Sequence, residues 1–244
     1  MLEGMYSAAA GMMAQQQRMD LVADDLANVS TTGYKPGRIA FRDLVYADGP
    51  RGSEPGVRIG AGSASTLVGR SMQQGSLETT NQPLDVALEG QGFLQVRTLD
   101  GRVGLTRDGQ LGTDAQGRLT LHSGELLEPA ITLPPGTPVD QVAIAADGRV
   151  TVQGRQLGQL RIVEVNAPGG LEAGPNNTFV PGPRSGQPRP AQSTTVRQGA
   201  LESSGVDMAS AMTDMMEAQR GFELASKAIM TQDQLLEIAN QVKR

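Results

Sequence analysis

The sequence predicts an α+β fold: long N- and C-terminal helices that form a coiled-coil-like pair, with a central all-β domain of short strands between them. Three observations carry this. Continuing from Leu201, the residues Met208, Met215, Phe222, Ile229 and Leu236 stand seven apart, and Ala211, Ala218, Ala225 and Ala239 sit three places after four members of the series. The first thirty residues place Leu2, Met5, Ala9, Met12, Gln16, Met19, Ala23 and Leu26 at alternating steps of three and four. Between these ends the period shortens to two, and Gly and Pro become frequent.

Sevenfold spacing of this kind gives a narrow apolar seam, which needs a partner helix and favours a left-handed supercoil. Helix one is predicted from about Leu2 to Asn28 or Val29. Gly4 and Gly11 weaken it intrinsically, so packing has to hold it. Met recurs in both helices, as either an adaptable interface or a gap-filling core residue, and the adaptable interface is the preferred reading. Met12, Met19 and Leu26 are expected to pack toward Met215, Phe222 and Ile229. Together with Met5, Met208 and Leu236 they make up the predicted assembly interface.

Helix one ends in Asn28-Val29-Ser30-Thr31-Thr32-Gly33-Tyr34-Lys35-Pro36, small polar residues closed by Gly and Pro. Asn28, Thr31, Thr32, Gly33, Tyr34 and Lys35 read as a polar linker motif that reorients the chain between the first helix and the domain that follows it. Phe41, Leu44, Val45 and Tyr46 form a short apolar cluster, and Asp48 to Gly56 reads as extended or loop-like.

Further along, Leu84 to Leu88 and Phe93 to Val96 read as strand, tight turn, strand. Asp100-Gly101, Asp108-Gly109 and Asp147-Gly148 are hairpin-type turn signals. More strands are predicted at 103–106, 118–121, 130–133, 141–145, 149–152 and 159–165. Pro181 to Pro190 reads as a stiff exposed connector, and Asp207 stands where a helix start is expected. The domains expected are a helical assembly domain from 1–30 and 200–244, a linker and extended segment at 31–69, a β domain at 70–180 and a connector at 181–199.

Composition narrows the function. Aromatic residues are 3% of the chain and Trp is absent, which is thin for a single large core and suits a modest domain with long appendages. A net charge of -5 without a basic cluster argues against nucleic acid as a partner. No stretch has the length of a membrane span, and the start lacks the basic and solid apolar runs of a cleavable signal peptide. Without cysteine there are no disulfides, thiolate ligands or thiol nucleophiles. The single histidine, His122, lies by a turn and reads as structural, so no cofactor and no metal is expected. Asp24 and Asp25 are adjacent and diverge on a helix, Asp108, Asp114 and Asp147 lack a calcium-loop spacing, and Gly90-Gln91-Gly92 reads as a turn. No catalytic set emerges.

Three stretches carry a family resemblance. Tyr6-Ser7-Ala8-Ala9-Ala10-Gly11-Met12, with Leu26 to Lys35 and Phe41-Arg42-Asp43-Leu44, forms the first. The second is Gln74-Gly75-Ser76-Leu77 with Pro83 to Phe93, and the third is Gly199 to Leu201, Val206-Asp207 and Gln219-Arg220 through Lys227. Over nearly its whole length the sequence resembles the rod and hook proteins of the bacterial flagellum. Asp24-Asp25 stand where that family commonly has Asn, and Gly205 precedes Val206 where Asn is usual.

The resemblance implies an axial structural subunit rather than an enzyme. Its implied partners are copies of itself in an open helical polymer, other rod proteins and the hook protein, the surrounding ring bushing proteins, and the flagellar export apparatus. It implies a place in the basal body, spanning the periplasm, after export without a cleaved signal peptide. The continuous middle, reaching Thr178-Phe179, is most like that of distal rod subunits, with proximal rod subunits as the near alternative. A hook-type subunit is disfavoured by size. A coiled-coil extracellular binding module and a peptidoglycan hydrolase are the rival classes; the first should form a closed oligomer, and the second lacks paired pocket acids.

Overall fold

The computed structural model describes residues 2–44, 47–48, 58–59, 62–98 and 100–242; the side chains at 2, 3, 47–48, 58–59, 236, 239, 240 and 242 lie outside the description. The expectations for Val45, Tyr46 and most of the 48–56 segment therefore fall outside the described residues. Two compact units emerge, one from Met1–Ala27, Gly37–Val68 and Asp207–Arg244, the other from Asn28–Pro36 and Gly69–Val206.

The first unit is built on α1 (Leu2–Ala27) and α2 (Met208–Val242), which pack along each other. They run antiparallel, because Gly4 lies against Gln232, Gly221 against Gln15, and Arg18 pairs with Asp214. Asp207 caps α2: its carboxylate accepts the backbone N–H groups of Ala209 and Ser210 and the Ser210 hydroxyl at 2.6 Å. These hydrogen bonds, the Ser210 hydroxyl foremost, hold the Asp207 carboxyl below the usual carboxylate range. Leu201 does not belong to α2, contrary to the seven-residue series. It lies in the strand Ala200–Glu202, paired with Leu77–Thr79, and Ser203-Ser204-Gly205 separates that strand from the helix. A two-stranded ribbon of Gly37–Asp43 and Ser63–Arg70 follows α1, its start tied back by Gly37 N–H donating to Asp25 Oδ1 at 3.1 Å.

In the second unit Phe93–Arg97 is the central strand of a nine-stranded sheet, pairing antiparallel with Val103–Thr106 on one edge. Its other edge is shared, with Phe93 and Leu94 facing Ile162–Glu164 and Val96 and Arg97 facing Leu126–Leu127. The sheet forks at Gln95, and a half-open groove of about 1080 Å³ follows the fork. Period-two alternation gives the sheet two covered faces. Leu94 and Val96 enter a core with Val86, Leu88, Leu119, Ile131 and Val150, while Phe93 enters a second with Leu105, Val163 and Phe179. The Phe93 and Phe179 rings meet edge to face at 6.0 Å.

The structure differs from the sequence expectation at four further places. Val86–Glu89 and Phe93–Arg97 are both strands, but they are not partners; Val86–Glu89 pairs with Thr195–Gln198. Its Val86, Ala87 and Leu88 are all buried, so it lies inside the unit instead of forming a half-exposed hairpin. Ile131 and Leu133 are buried without forming a strand, apart from an isolated Arg118–Thr132 bridge. Asp108-Gly109 is not a hairpin turn, since Gly109 accepts the Val86 N–H and has no positive φ. Residues 181–199 lie within the second unit, with Ser185 fully buried.

Candidate functional site

The residues picked from the seam divide by depth. Met5, Met12, Met19 and Leu26 of α1 and Met215, Phe222 and Ile229 of α2 are half-buried, Met208 is exposed, and the Leu236 side chain is outside the description. Full burial goes to smaller neighbours, Ala14 and Val22 on α1 and Ala211 and Ala218 on α2. That is what two helices alone produce: small side chains set the closest approach, and long ones flank it with one side still open. Arg18 bridges Asp214 at 2.5 Å and Glu217 at 3.0 Å, fixing the register but, at this exposure, adding little stability. Met12 and Phe222 line one shallow groove with Ala9, Met13 and Gln16.

A second apolar surface lies outside the seam. On α2, Met212, Met216, Leu224, Met230, Leu235 and Ile238 are each at least half exposed, and on α1 Tyr6 and Met13 are about 70% exposed. Lone exposed apolar residues need no explanation, but a series of this length on paired helices leaves apolar surface uncovered in the single chain.

The linker motif is docked into the β unit. Thr31 N–H donates to Asn28 O at 3.1 Å and closes the chain into a turn as α1 ends. Thr32 then donates its hydroxyl to Asp108 Oδ1 at 2.6 Å, and its carbonyl accepts Asn177 Nδ2 at 2.8 Å. Gly33 N–H donates to Glu202 O at 2.8 Å, in a left-handed conformation of φ +64°. Tyr34 is buried under the Arg70 guanidinium, 5.2 Å from the ring centre, and its carbonyl accepts Gly205 N–H.

Lys35 completes the docking and is wholly buried. Its ammonium reaches Glu202 Oε1 at 2.6 Å and the Gln73 carbonyl at 2.5 Å. Glu202, 1% exposed, also accepts Gly75 N–H at 2.8 Å and faces Arg107 at 3.3 Å through its other oxygen. Arg107 donates to Gly90 O at 2.7 Å and lies 5.0 Å from the Phe93 ring centre, but its buried Nε has no hydrogen-bond partner among the described residues. Burial pushes both the Lys35 and the Arg107 pKa down, against the pull of Glu202 in each case.

Asp108, under Thr32, responds to the same burial in the opposite sense. Burial pushes its pKa up, Glu125 adds to the rise, and Thr32, the Gln110 N–H and His122 oppose it. A carboxyl whose pKa is raised by folding binds its proton more tightly in the folded chain. Its contribution therefore favours folding at low pH and is lost as pH rises through the folded value. Asp108→Asn keeps an acceptor for Thr32 and should remove this dependence. Melting temperatures of the two proteins should diverge in favour of the variant as pH rises above about 4, the ordinary carboxylate value. A gap that stays constant with pH would show that Asp108 does not titrate there.

Sequence reasoning chose Lys35 and passed over Glu202, Arg107, Asp108 and Asn177. One signal was present: Glu202 follows Ala200-Leu201 and Arg107 follows Leu105-Thr106, each a charge set in a run that otherwise reads as buried strand. Among the described residues, no group of His, Cys, Asp and Glu is placed to hold a metal, and no helix is long and apolar enough to cross a membrane.

Comparison with known proteins matches three segments, each of which overlaps one of the three motif stretches. Residues 5–35 match the family model described as flagella basal body rod protein, and 87–152 the flagellar hook protein FlgE/F/G D1 domain. Residues 197–242 match the flagellar basal body rod FlgEFG protein C-terminal model. Each matched segment thus supplies one member of the buried cluster, Lys35, Arg107 and Glu202 respectively. The flagellar basal-body rod protein FlgG of Borreliella burgdorferi is 36% identical, the similarity spanning all of both chains. That of Bacillus subtilis is 31% identical, and the flagellar hook-basal body complex protein FlhP of the same organism 30%, again over both full lengths. With its paired terminal helices, its β unit and its full length all accounted for by these relatives, the chain belongs to the flagellar basal-body rod protein family.

Proposed function

We propose that the chain is a distal-type subunit of the flagellar rod, which polymerises into an open helix and carries turning force toward the hook. The observation that carries this reading is the end-to-end similarity to rod proteins named FlgG. Similarity to a hook-basal body complex protein supports another position within that complex, such as a proximal rod subunit, as the second reading. The helices contribute a physical reason. An α1–α2 pair with a half-covered seam and a further exposed apolar series has more surface to bury than one chain can cover. Neighbouring copies supply that cover, and contacts between unlike surfaces do not close on themselves, so they build a filament. In this reading the subunit meets other rod proteins, the hook protein and the ring bushing, reaches the periplasmic basal body through the export apparatus, and performs no catalysis.

Phe222→Ala tests the seam. Truncating this half-buried ring should cost roughly 2 kcal/mol at the contact. Electron microscopy of the purified full-length variant should show few or no filaments, while melting of the β unit is unchanged. Filaments of normal yield would remove the seam from the mechanism. Met216→Glu should also block filaments, but leave the α1–α2 pair intact because Met216 is exposed in the single chain.

A further inference from the structure

We propose that Glu202 is a positioning residue for assembly: its one carboxylate, held between Lys35 and Arg107, fixes the two segments through which the chain passes between the β unit and the terminal helices. The inference rests on the rod-subunit reading and adds to it the residue that holds together the segment following α1 and the segment preceding α2.

Lys35 follows Ala27, the last residue of α1, by eight positions, and Glu202 precedes Met208, the first of α2, by six. One ion pair therefore ties the exit from α1 to the entrance of α2, across 167 residues of chain. Every acceptor of Glu202 is engaged. Its carbonyl takes the Gly33 N–H, Oε1 takes Lys35 and the Gly75 N–H, Oε2 faces Arg107, and its strand pairs with Leu77–Thr79.

Two buried cations share one carboxylate, and Arg107 Nε is left without a hydrogen-bond partner among the described residues. Apolar side chains of similar volume commonly stabilise such a site as well or better, so stability alone does not account for the cluster. What ions add is direction, since few arrangements satisfy all three groups at once. Chain segments that must keep their register under load need that property more than they need extra stability.

The experiment compares full-length wild type, Glu202→Gln, and the triple apolar variant Lys35→Met, Arg107→Met, Glu202→Leu. In Glu202→Gln the amides of Gly33 and Gly75 should exchange with solvent at least about tenfold faster, with Val96 and Leu105 unchanged. Its filaments, seen by electron microscopy, should lose helical order. The triple variant should fold and melt like wild type yet form filaments equally disordered; it keeps the test decisive if Glu202→Gln alone fails to fold. Well-ordered filaments from the triple variant would overturn the proposal and leave the rod reading standing. Failure of wild type itself to form filaments would overturn the rod reading, and the proposal with it.

Discussion

Gly33→Ala is expected to lift residues 28–36 off the β unit while both β cores stay folded. Two constraints meet at this residue. Its φ of +64° is one that L side chains adopt at a cost, and a Cβ there would stand 2.5 Å from the Arg107 carbonyl carbon and 2.8 Å from the Asp108 nitrogen. Backbone atoms cannot rotate aside as a long side chain can, so the motif itself has to move. Strain and overpacking together predict a loss of about 2–4 kcal/mol, concentrated in the docked segment. Limited proteolysis should find new cleavage within 28–36, and the Tyr34 ring should become accessible. Unchanged protection there would mean that the close approach to Arg107 is not what seats the motif.

Gly109→Ala should do more damage for a different reason. Its φ is ordinary, but a Cβ would fall 1.7 Å from the Val86 carbonyl oxygen, where the Val86 N–H also donates to Gly109 O at 3.0 Å. Val86 sits in the larger core, so the strand cannot back away without opening it. A loss of about 4 kcal/mol or more is expected, visible as a collapse of the urea midpoint. Gly101→Ala makes the informative control. That glycine has φ +76° but open space around it, so its substitution should cost no more than about 1–2 kcal/mol. Equal effects at 101 and 109 would show that backbone conformation, and not room, governs both sites.

These two glycines mark where sequence reading succeeded and where it stopped. The helices were legible because a 3.5-residue period survives in Met208, Met215, Phe222 and Ile229 whatever else the chain does. The same rule overran at Leu201, which keeps the spacing by coincidence while lying in a strand. Strand positions were largely readable from alternation, but partners were not, because alternation carries no information about which strand comes next door. Val86–Glu89 finds its partner more than a hundred residues away, at Thr195–Gln198. The Asp108-Gly109 pair misled for a related reason: both residue types favour turns, yet here the Asp receives Thr32 and the Gly leaves room for Val86. Glu202 and Arg107 stayed hidden because a lone charge in a strand-like run reads as surface until its partners are known.

The shared carboxylate also sets a timetable. Lys35, Arg107 and Glu202 are separated by 167 and 95 positions along the chain, measured from Glu202, and the pairing of Ala200–Glu202 with Leu77–Thr79 spans a similar distance. Closing loops of that length costs entropy before any contact repays it, and non-local pairings of this kind make folding slow. A polypeptide emerging from its N-terminus would have nearly all of the β strands available and still lack the residue that seats its opening motif. The opening motif of such a chain stays unseated until its last fifth arrives, so the slowest kinetic phase of refolding should be the one that buries Lys35.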